Sequence, residues 1–284
     1  MKKELLTIYL KGICMGIADI IPGVSGGTIA LITGIYDRLI TGISNINIKF
    51  IPHILKKEYG EAKKHIDKID FKLFIPLVLG IGTSFMIMSN LIHYLLENYV
   101  AITYSFFFGL ILASALILFK EVKKLSIKII PIFIVGFLFA FSVVGSEYIQ
   151  LGHSLPILFA SGALAICAMI LPGISGAFIL LFLNQYSYII SLINGLQITE
   201  LLVFGAGGIA GLFSFSRFLS YILHNHRSAT MLFLTGLMLG ALRFPYQNIV
   251  ENINTANPLF LGISLICGFL IVMIMEGGFN KNKI

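Results

Sequence analysis

The chain has 284 residues, of which 57% are hydrophobic and only 12% are charged, and its formal net charge is +7. Soluble domains carry roughly 25% charged residues, so this chain has too few charges to cover a soluble surface. Long uninterrupted apolar runs also exclude an outer-membrane barrel, whose strands alternate between polar and apolar residues. The composition therefore predicts a helical membrane protein.

The positive charge is concentrated between apolar stretches. Basic residues cluster between Arg38 and Lys72 and again between Lys120 and Lys128. Cytoplasmic loops of membrane proteins show this enrichment, which favours a topology signal over nucleic-acid binding, and no nucleic-acid partner is predicted. The three cysteines all lie in apolar sequence and indicate neither a disulfide framework nor a metal site.

In chain order, the first apolar stretch is residues 12–36, and it contains Pro22-Gly23 near its middle. Each half is too short for the roughly 20 residues that a span needs. The stretch is therefore predicted to be a re-entrant hairpin that enters the membrane, breaks and returns to the same side. The charged segment 37–72 follows as a cytoplasmic insertion. Residues 162–186, with Pro172-Gly173 at the break, predict a second hairpin.

Six further stretches are apolar enough and about long enough to be transmembrane helices. They cover residues 71–95, 99–119, 129–145, 200–223, 228–243 and 258–276. With a cytoplasmic N-terminus, the outward-facing loops are 96–99, 146–154, 187–199 and 244–257. None of these loops contains Lys or Arg, whereas the opposite orientation puts most of the basic residues outside. Both termini are therefore predicted to be cytoplasmic.

An internal repeat relates the two halves of the chain. When the chain is aligned with itself so that Pro22 lies on Pro172, residues 22–26 (PGVSG) match residues 172–176 (PGISG). We call this alignment the hairpin register. Further along, a second alignment, called here the span register, matches Tyr94 to Tyr221, Gly109 to Gly236 and Pro131 to Pro258. An insertion in the charged loop 37–72 accounts for the change of register. Self-similarity at a fixed shift indicates a repeat architecture.

The repeats are residues 1–145 and 152–284, and each contains one hairpin and three spans. Because three is an odd number, the second repeat is predicted to be inverted in the membrane. The predicted fold class is an all-α polytopic membrane protein with two inverted repeats, each a re-entrant helical hairpin plus three transmembrane helices. Inverted repeats with broken helices near the midplane are typical of secondary transporters.

The hairpin tips contain a candidate anion site. Ser25 can cap the helix that follows the first break, and glycines allow a ligand to approach the backbone closely. Free amides and the positive end of a helix dipole attract anions. The candidate phosphate-binding residues are Ser25, Gly26, Gly27, Thr28, Ser175, Gly176 and Arg217. The alternative interpretation is a tightly packed helix break whose serines cap it and bind nothing.

Two charged residues stand out in apolar sequence. Arg217 lies well inside a predicted span, where a cation costs about 2.5–3.5 kcal/mol or more. It suits bidentate binding of phosphate; the alternatives are a structural pair with a carboxylate or snorkelling to the inner surface. Asp19 precedes the first break, and its repeat counterpart is Met169. Asp19 is a candidate for proton or cation coupling, or else it bonds a freed amide or pairs with Arg217.

Residues 16–28, GIADIIPGVSGGT, resemble the first motif of the bacterial polyprenyl-phosphate transporter family, and residues 170–176, ILPGISG, resemble its second. The resemblance covers essentially the whole chain. It departs at Ala177, where the family often has a small hydroxyl residue. The resemblance implies that undecaprenyl phosphate, the lipid carrier for peptidoglycan and other envelope glycans, returns from the outer to the inner leaflet of the bacterial cytoplasmic membrane through this protein.

Two other functions use similar chemistry. A secondary transporter of a small inorganic or organic anion needs the same kind of site. A membrane phosphatase needs a nucleophile or a general base, commonly His, and no His lies near either tip in the sequence. An enzyme is therefore not predicted. No cofactor and no metal are predicted either, because His224 and His226 do not share a helix face.

Overall fold

A computed structural model describes residues 2–21, 24–46, 58, 60, 63, 67–122, 126–145 and 151–280. These residues form thirteen α-helices and two short 3-10 turns. The helices are α1 Lys2–Ile20, α2 Gly26–Ile32, α3 Tyr36–Ser44, α4 Phe71–Asn98, α5 Val100–Lys120, α6 Ile130–Gly145, α7 Leu155–Ile170, α8 Gly176–Phe182, α9 Tyr186–Asn194, α10 Ile198–Asn225, α11 Arg227–Ala241, α12 Arg243–Glu251 and α13 Pro258–Asn280. Within the described part of the chain there is no β-strand. Pro22 and Gly23, much of the predicted insertion 37–72 and the first part of the predicted loop 146–154 lie outside the described residues.

All six predicted spans are helices of the length and apolarity that a membrane crossing needs. They are α4, α5, α6 with the 3-10 turn before it, α10, α11 continued by α12, and α13. Large apolar side chains lie exposed on their outer faces; Met86 is 85% exposed and Ile274 is 71% exposed. Such a surface is stable against lipid and not against water. The chain is therefore a multi-pass membrane protein.

The first broken stretch differs from its predicted length. Helix α1 begins at Lys2, so the segment before the break has 19 residues. The charge of Lys11 does not interrupt this helix, because its Nζ donates a hydrogen bond to the carbonyl of Thr33 at the end of α2. Long basic side chains can keep their charge solvated or bonded while the stem packs on apolar surface.

Helix α2 runs back alongside α1. Gly26, at the start of α2, bonds Asp19 near the end of α1, while Thr33, just past α2, bonds Lys11 earlier in α1. The two bonds therefore connect positions progressively farther from the break. Helices α7 and α8 also pack against each other across the second break. Helix α9 then leaves α8 at an angle of 103°.

Two predicted outer loops are partly helical. Residues 187–199 contain most of α9, and residues 244–257 contain most of α12 and a 3-10 turn. Helix α9 has the strong apolar-polar segregation of an interfacial helix, with Ile189 and Leu192 buried. Short amphipathic helices of this kind lie along a surface and do not cross it.

The helix bounds recur in the registers found in the sequence. The hairpin register places both ends of α2 on those of α8 and both ends of α3 on those of α9, and the span register does the same for α4 and α10. The third spans align differently. Gly136 of α6 packs on the backbone of Phe233, and Gly268 of α13 packs on the backbone of Phe106. These equivalent contacts pair Gly136 with Gly268, because α12 lengthens the second connection, so Pro131 and Pro258 are not equivalent.

The two repeats are interleaved. Helix α1 packs on α4 and α7 packs on α10, in each case within one repeat. In contrast, α5 packs on α13 and α11 packs on α6, so the last helix of each repeat joins the other repeat. Helices α5 and α11 are the most buried spans. They form the centre of the molecule, against which the two breaks lie.

Candidate functional site at the two helix breaks

The first break is closed by local hydrogen bonds. Ser25 has extended backbone at φ −121° and ψ 132°, and its Oγ accepts a hydrogen bond from the amide of Gly27 at 3.1 Å. The amide of Gly26 donates to Oδ1 of Asp19 at 2.7 Å. Ser25 therefore caps α2 as predicted, and Asp19 bonds a freed amide, which is one of the alternatives that its position allowed.

The two breaks bond directly to each other. The Ser25 hydroxyl donates to the carbonyl of Leu171 at 3.0 Å. The amide of Gly173 donates to Oγ1 of Thr28, also at 3.0 Å. Ser25 and Thr28 are 2% and 0% exposed, so these bonds lie in the protein interior, where an unmade bond is costly. The predicted tip residues of the two repeats thus meet at one place.

Gly27 makes the closest approach between the breaks. A Cβ on Gly27 would lie 2.8 Å from the carbonyl oxygen of Ile170, so a larger residue would force the breaks apart. The hydroxyl of Tyr36 donates to the same carbonyl at 3.1 Å. Tyr36 is buried and was not predicted as a site residue. Its match to Tyr186 in the repeat was the only sequence signal for it.

The second break has the same backbone form with fewer polar bonds. Ser175 is 5% exposed and has φ −96° and ψ 135°, but its side chain makes no capping bond to the described residues. It borders a small cavity of about 10 Å³ together with Phe178 and Phe244. Space beside Gly176 is taken by Met169, the counterpart of Asp19. The second tip therefore contributes mainly backbone groups.

Arg217 lies away from this contact. It is an exposed residue of α10, and its Nη2 is 3.5 Å from the carbonyl oxygen of Ile46, at the limit of a hydrogen bond. In the described ranges no hydrogen bond or ion pair joins Arg217 to either break. The stripe that was predicted on α10 is an exposed one, since Ser214, Tyr221 and His224 are also exposed. That Arg217 binds phosphate stays a prediction.

Charged residues of the predicted cytoplasmic loops form two ion-pair clusters that sequence spacing did not predict. Arg227 at the start of α11 contacts Asp37 of α3 at 2.6 Å and Glu121 after α5 at 2.9 Å. Arg38 contacts Asp70 at 2.7 Å and Glu4 at 3.2 Å. The partners are up to 190 residues apart in sequence. Together the clusters tie α3 to α1, α4, α5 and α11 at one end of the molecule.

Gln185 is a second buried polar residue that the sequence analysis missed. It is 0% exposed and lies in the turn between α8 and α9. Its Nε2 donates to the carbonyl of Gly152 at 3.1 Å, and its Oε1 is 3.1 Å from Nδ1 of His153. The ring of His153 stacks on Tyr188. Gln185 thus holds the segment before α7 against the second hairpin.

Two larger apolar cavities border the hairpins. One, of about 440 Å³, lies between α1–α2 and the helices α4, α5 and α13. The other, of about 400 Å³, lies between α7–α8 and α10. Within the described residues, no three His, Cys, Asp or Glu side chains group as metal ligands.

The fold and the site define a multi-pass helical membrane protein with two broken helices in contact at its centre. A family model described as undecaprenyl phosphate translocase-like matches residues 15–260. The chain is 43% identical over 241 residues to a polyprenyl-phosphate transporter of Vibrio cholerae, covering 84% of this chain and 76% of the relative. It is 32% identical over 263 residues to a polyprenyl-phosphate transporter of Staphylococcus aureus, covering 86% and 87%.

The chain therefore belongs to the undecaprenyl phosphate translocase-like family. The resemblance that was noted from the two motifs is confirmed. Both relatives have the names of transporters and not of enzymes. No solved structure matches the chain.

Proposed function

We propose that this protein moves undecaprenyl phosphate from the outer to the inner leaflet of the bacterial cytoplasmic membrane by alternating access. The observation that carries the proposal is the contact of two helix breaks, in which the carboxylate of Asp19 already lies on the amide of Gly26 at 2.7 Å. An anionic oxygen is thus bound at the start of α2, where the helix dipole favours negative charge. The names of both relatives supply the class of substrate.

The phosphate would bind where the breaks meet. Residues 25–28 would supply hydroxyl and amide groups from the first break, and Ser175 and Gly176 would supply those of the second. Because Asp19 occupies the amide of Gly26, the phosphate has to displace the carboxylate to reach it. Such fixed dipoles replace the water that a charged head group cannot lose unaided in hydrocarbon.

Asp19 is then the residue through which transport is coupled to a proton or cation gradient. A carboxylate repels an incoming phosphate at this distance, and protonation or a bound cation removes the repulsion. Met169 has the same position in the second repeat and cannot titrate. Coupling would therefore belong to the first hairpin alone.

Inverted repeats provide the motion. The recurrence of helix bounds in the hairpin and span registers supports two equivalent units, residues 1–145 and 152–284. Each unit has three spans, so the second would be inverted, and the re-entrant hairpins 12–36 and 162–186 would enter from opposite sides. Both termini would be cytoplasmic. Rocking of equivalent units around a central site is the usual route to alternating access.

In this topology the structure would be closed towards the cytoplasm. The clusters around Arg38 and Arg227 lie at the cytoplasmic end and hold α3 against its neighbours. Arg217 lies in the cytoplasmic part of α10 and is exposed. It would bind the phosphate when the site opens inward and the head group approaches the inner leaflet.

Exposure of undecaprenyl phosphate at the cell surface tests the function. A probe for the lipid head group would be applied to cells that lack other carriers of this lipid, with and without the protein. We expect the lipid to accumulate at the surface on depletion, and wild type but not Gly27→Ala to reverse this. Unchanged exposure would refute lipid translocation. Uptake of a small anion by protein-containing liposomes would then support the anion transporter.

A further inference from the structure

The larger cavity is a groove in the side of the protein, called here the α5 groove. Helices α1 and α2 form one wall, and α4, α5 and α13 form the other; the lining includes Cys14, Ile17, Ile92, Phe106, Phe107 and Ile271. Its volume of about 440 Å³ is within the roughly 300–1,000 Å³ of small-molecule sites. The groove is therefore large enough to hold a substantial part of a ligand.

The groove offers apolar contact and few polar groups. Two hydroxyl residues in its walls are turned to main-chain carbonyls: Thr103 donates to Leu95 at 3.2 Å, and Ser264 donates to Ile102 at 2.8 Å. Tyr99 is 47% exposed at one end. None of the described lining residues carries a charge. A phosphate would find no counter-charge here, whereas a hydrocarbon chain loses no polar bonds on entering.

One end of the groove lies at the proposed phosphate site. Its lining includes Ala18 and Ile29, which are the sequence neighbours of Asp19 and Thr28. From there it follows α5 as far as Tyr99. The stretch of α5 between Tyr99 and Leu110 is about 16 Å long at 1.5 Å per residue. That length is about half of the roughly 30 Å hydrocarbon core of a bilayer, so a chain starting at the breaks would reach one membrane surface.

The far wall of the groove is fixed by backbone contact. Gly109 of α5 packs on the carbonyl of Leu265, and Gly268 of α13 packs on the carbonyl of Phe106. With glycine at both crossing points, α5 and α13 touch along their main chains and leave no slack between them. The groove is therefore a preformed feature between packed helices.

We propose that the α5 groove binds the isoprene units nearest the phosphate of a polyprenyl phosphate. This inference rests on the proposed function, because the phosphate at the breaks holds the attached chain at the entrance of the groove. Tethering gives that chain a high effective concentration there compared with free lipid chains. A bilayer phospholipid, whose head group stays at the membrane surface, lacks that advantage.

Fluorescence of a single tryptophan tests which chain fills the groove, since the protein has no native Trp. Tyr99→Trp places the probe in the groove, and Cys267→Trp places it at an exposed position of α13 outside the lining. Both variants would be placed in nanodiscs of brominated phospholipid, whose chains quench Trp on contact. We expect polyprenyl phosphate to restore fluorescence in Tyr99→Trp only, and inorganic phosphate to restore it in neither variant.

Transport of the same variants separates the two proposals. If Tyr99→Trp moves polyprenyl phosphate but stays quenched by the phospholipid, the groove proposal is wrong and the proposed function stands. Equal recovery in both variants would mean general displacement of lipid and would also overturn the groove. If wild type moves no polyprenyl phosphate in liposomes, the proposed function fails, and the groove proposal fails with it.

A filling variant measures the contribution of the groove. Ile92→Phe reduces its volume, while Ile87→Phe changes an exposed position of the same helix and serves as the control. We expect Ile92→Phe to raise the half-saturating concentration of a long polyprenyl phosphate roughly tenfold, about 1.4 kcal/mol, and Ile87→Phe to have little effect. A phosphate ester with a single isoprene unit should be insensitive to both. Equal weakening of the long and short substrates by Ile92→Phe would contradict the proposal.

Discussion

Ser25 and Ser175 hold the same place in two helix breaks, and both have extended backbone, yet their side chains do different things. Ser25 caps its helix and bonds the opposite break, while Ser175 makes no capping bond to the described residues. The same contrast recurs at the next long helix. Asp70 caps α4 through the amide of Leu73, and its counterpart Gln197 makes no such bond within the described chain.

The two repeats therefore share a backbone and divide its chemistry. The first break supplies Asp19, Ser25 and Thr28, and the second supplies mainly main-chain groups that accept or complete their bonds. A repeat preserves the shape that a break requires, because Pro and Gly set that shape locally. Side chains can then specialise in one copy. Substitutions made at equivalent positions should consequently have unequal effects.

The largest difference is expected at Gly27 and its counterpart Ala177. Gly27→Ala places a Cβ 2.8 Å from the Ile170 carbonyl and should abolish transport by separating the breaks. Ala177→Gly only removes a methyl group and should retain most of the transport. Liposome transport with both variants at matched protein levels measures this. Equal activity of the two variants would contradict the contact as the functional site.

Arg217 gives the next largest expected effect. Its counterpart in the first repeat is Asn90, so only one repeat has a cation here. Arg217→Ala should insert normally and lower transport at least roughly tenfold, the equivalent of one charge-assisted hydrogen bond. Arg217→Lys should restore part of it, since Lys keeps the charge but not the bidentate geometry. Full activity of Arg217→Ala would remove this residue from the site.

Asp19→Asn separates charge from shape at the first break. The amide oxygen can still accept the bond from Gly26, so we expect the protein to fold normally. Transport should then lose its response to an imposed proton or cation gradient. The test compares transport rates with and without the gradient, using Met169→Leu as a neutral control in the second repeat. A gradient response that survives Asp19→Asn would exclude Asp19 as the coupling residue.

A smaller effect is expected for the two serines. Ser25→Ala removes a cap and a buried bond to Leu171, and should lower the free energy of unfolding by about 1–2 kcal/mol. Ser175→Ala should leave stability nearly unchanged and affect only the affinity for phosphate. Thermal unfolding in detergent gives the first quantity and binding of the lipid the second. A larger loss of stability in Ser175→Ala would reverse the assignment.

The smallest effect concerns pH. Hydrogen bonding to Arg38 lowers the pKa of Asp70 below its ordinary value of 3.8. A lowered pKa in the folded state stabilises the protein above that ordinary value, and the contribution is lost as pH falls through the lowered pKa. The pair is partly exposed and contributes little. Asp70→Asn should therefore slightly flatten the fall in melting temperature below pH 4, whereas Gln197→Glu should not change it.

Hydropathy was sufficient to predict the six spans, because lipid requires long apolar helices wherever the chain crosses. The breaks were predictable from Pro-Gly, and the capping by Ser25 from its position before a helix. The length of α1 was not predictable, since nothing local shows that Lys11 finds the carbonyl of Thr33. The bonds of Ser25 to Leu171 and of Arg227 to Asp37 join residues 146 and 190 positions apart. Periodicity contains no information on such partners.

The exchange of last helices between the repeats has a consequence for biogenesis. Helix α5 packs on α13, so a central helix that is made early waits for the last helix to leave the ribosome. Until then its glycine face, with Gly109, is open to lipid or to other chains. Assembly of the core is therefore post-translational, and a chain that stops before Pro258 should insert its earlier spans yet remain a target for membrane quality control.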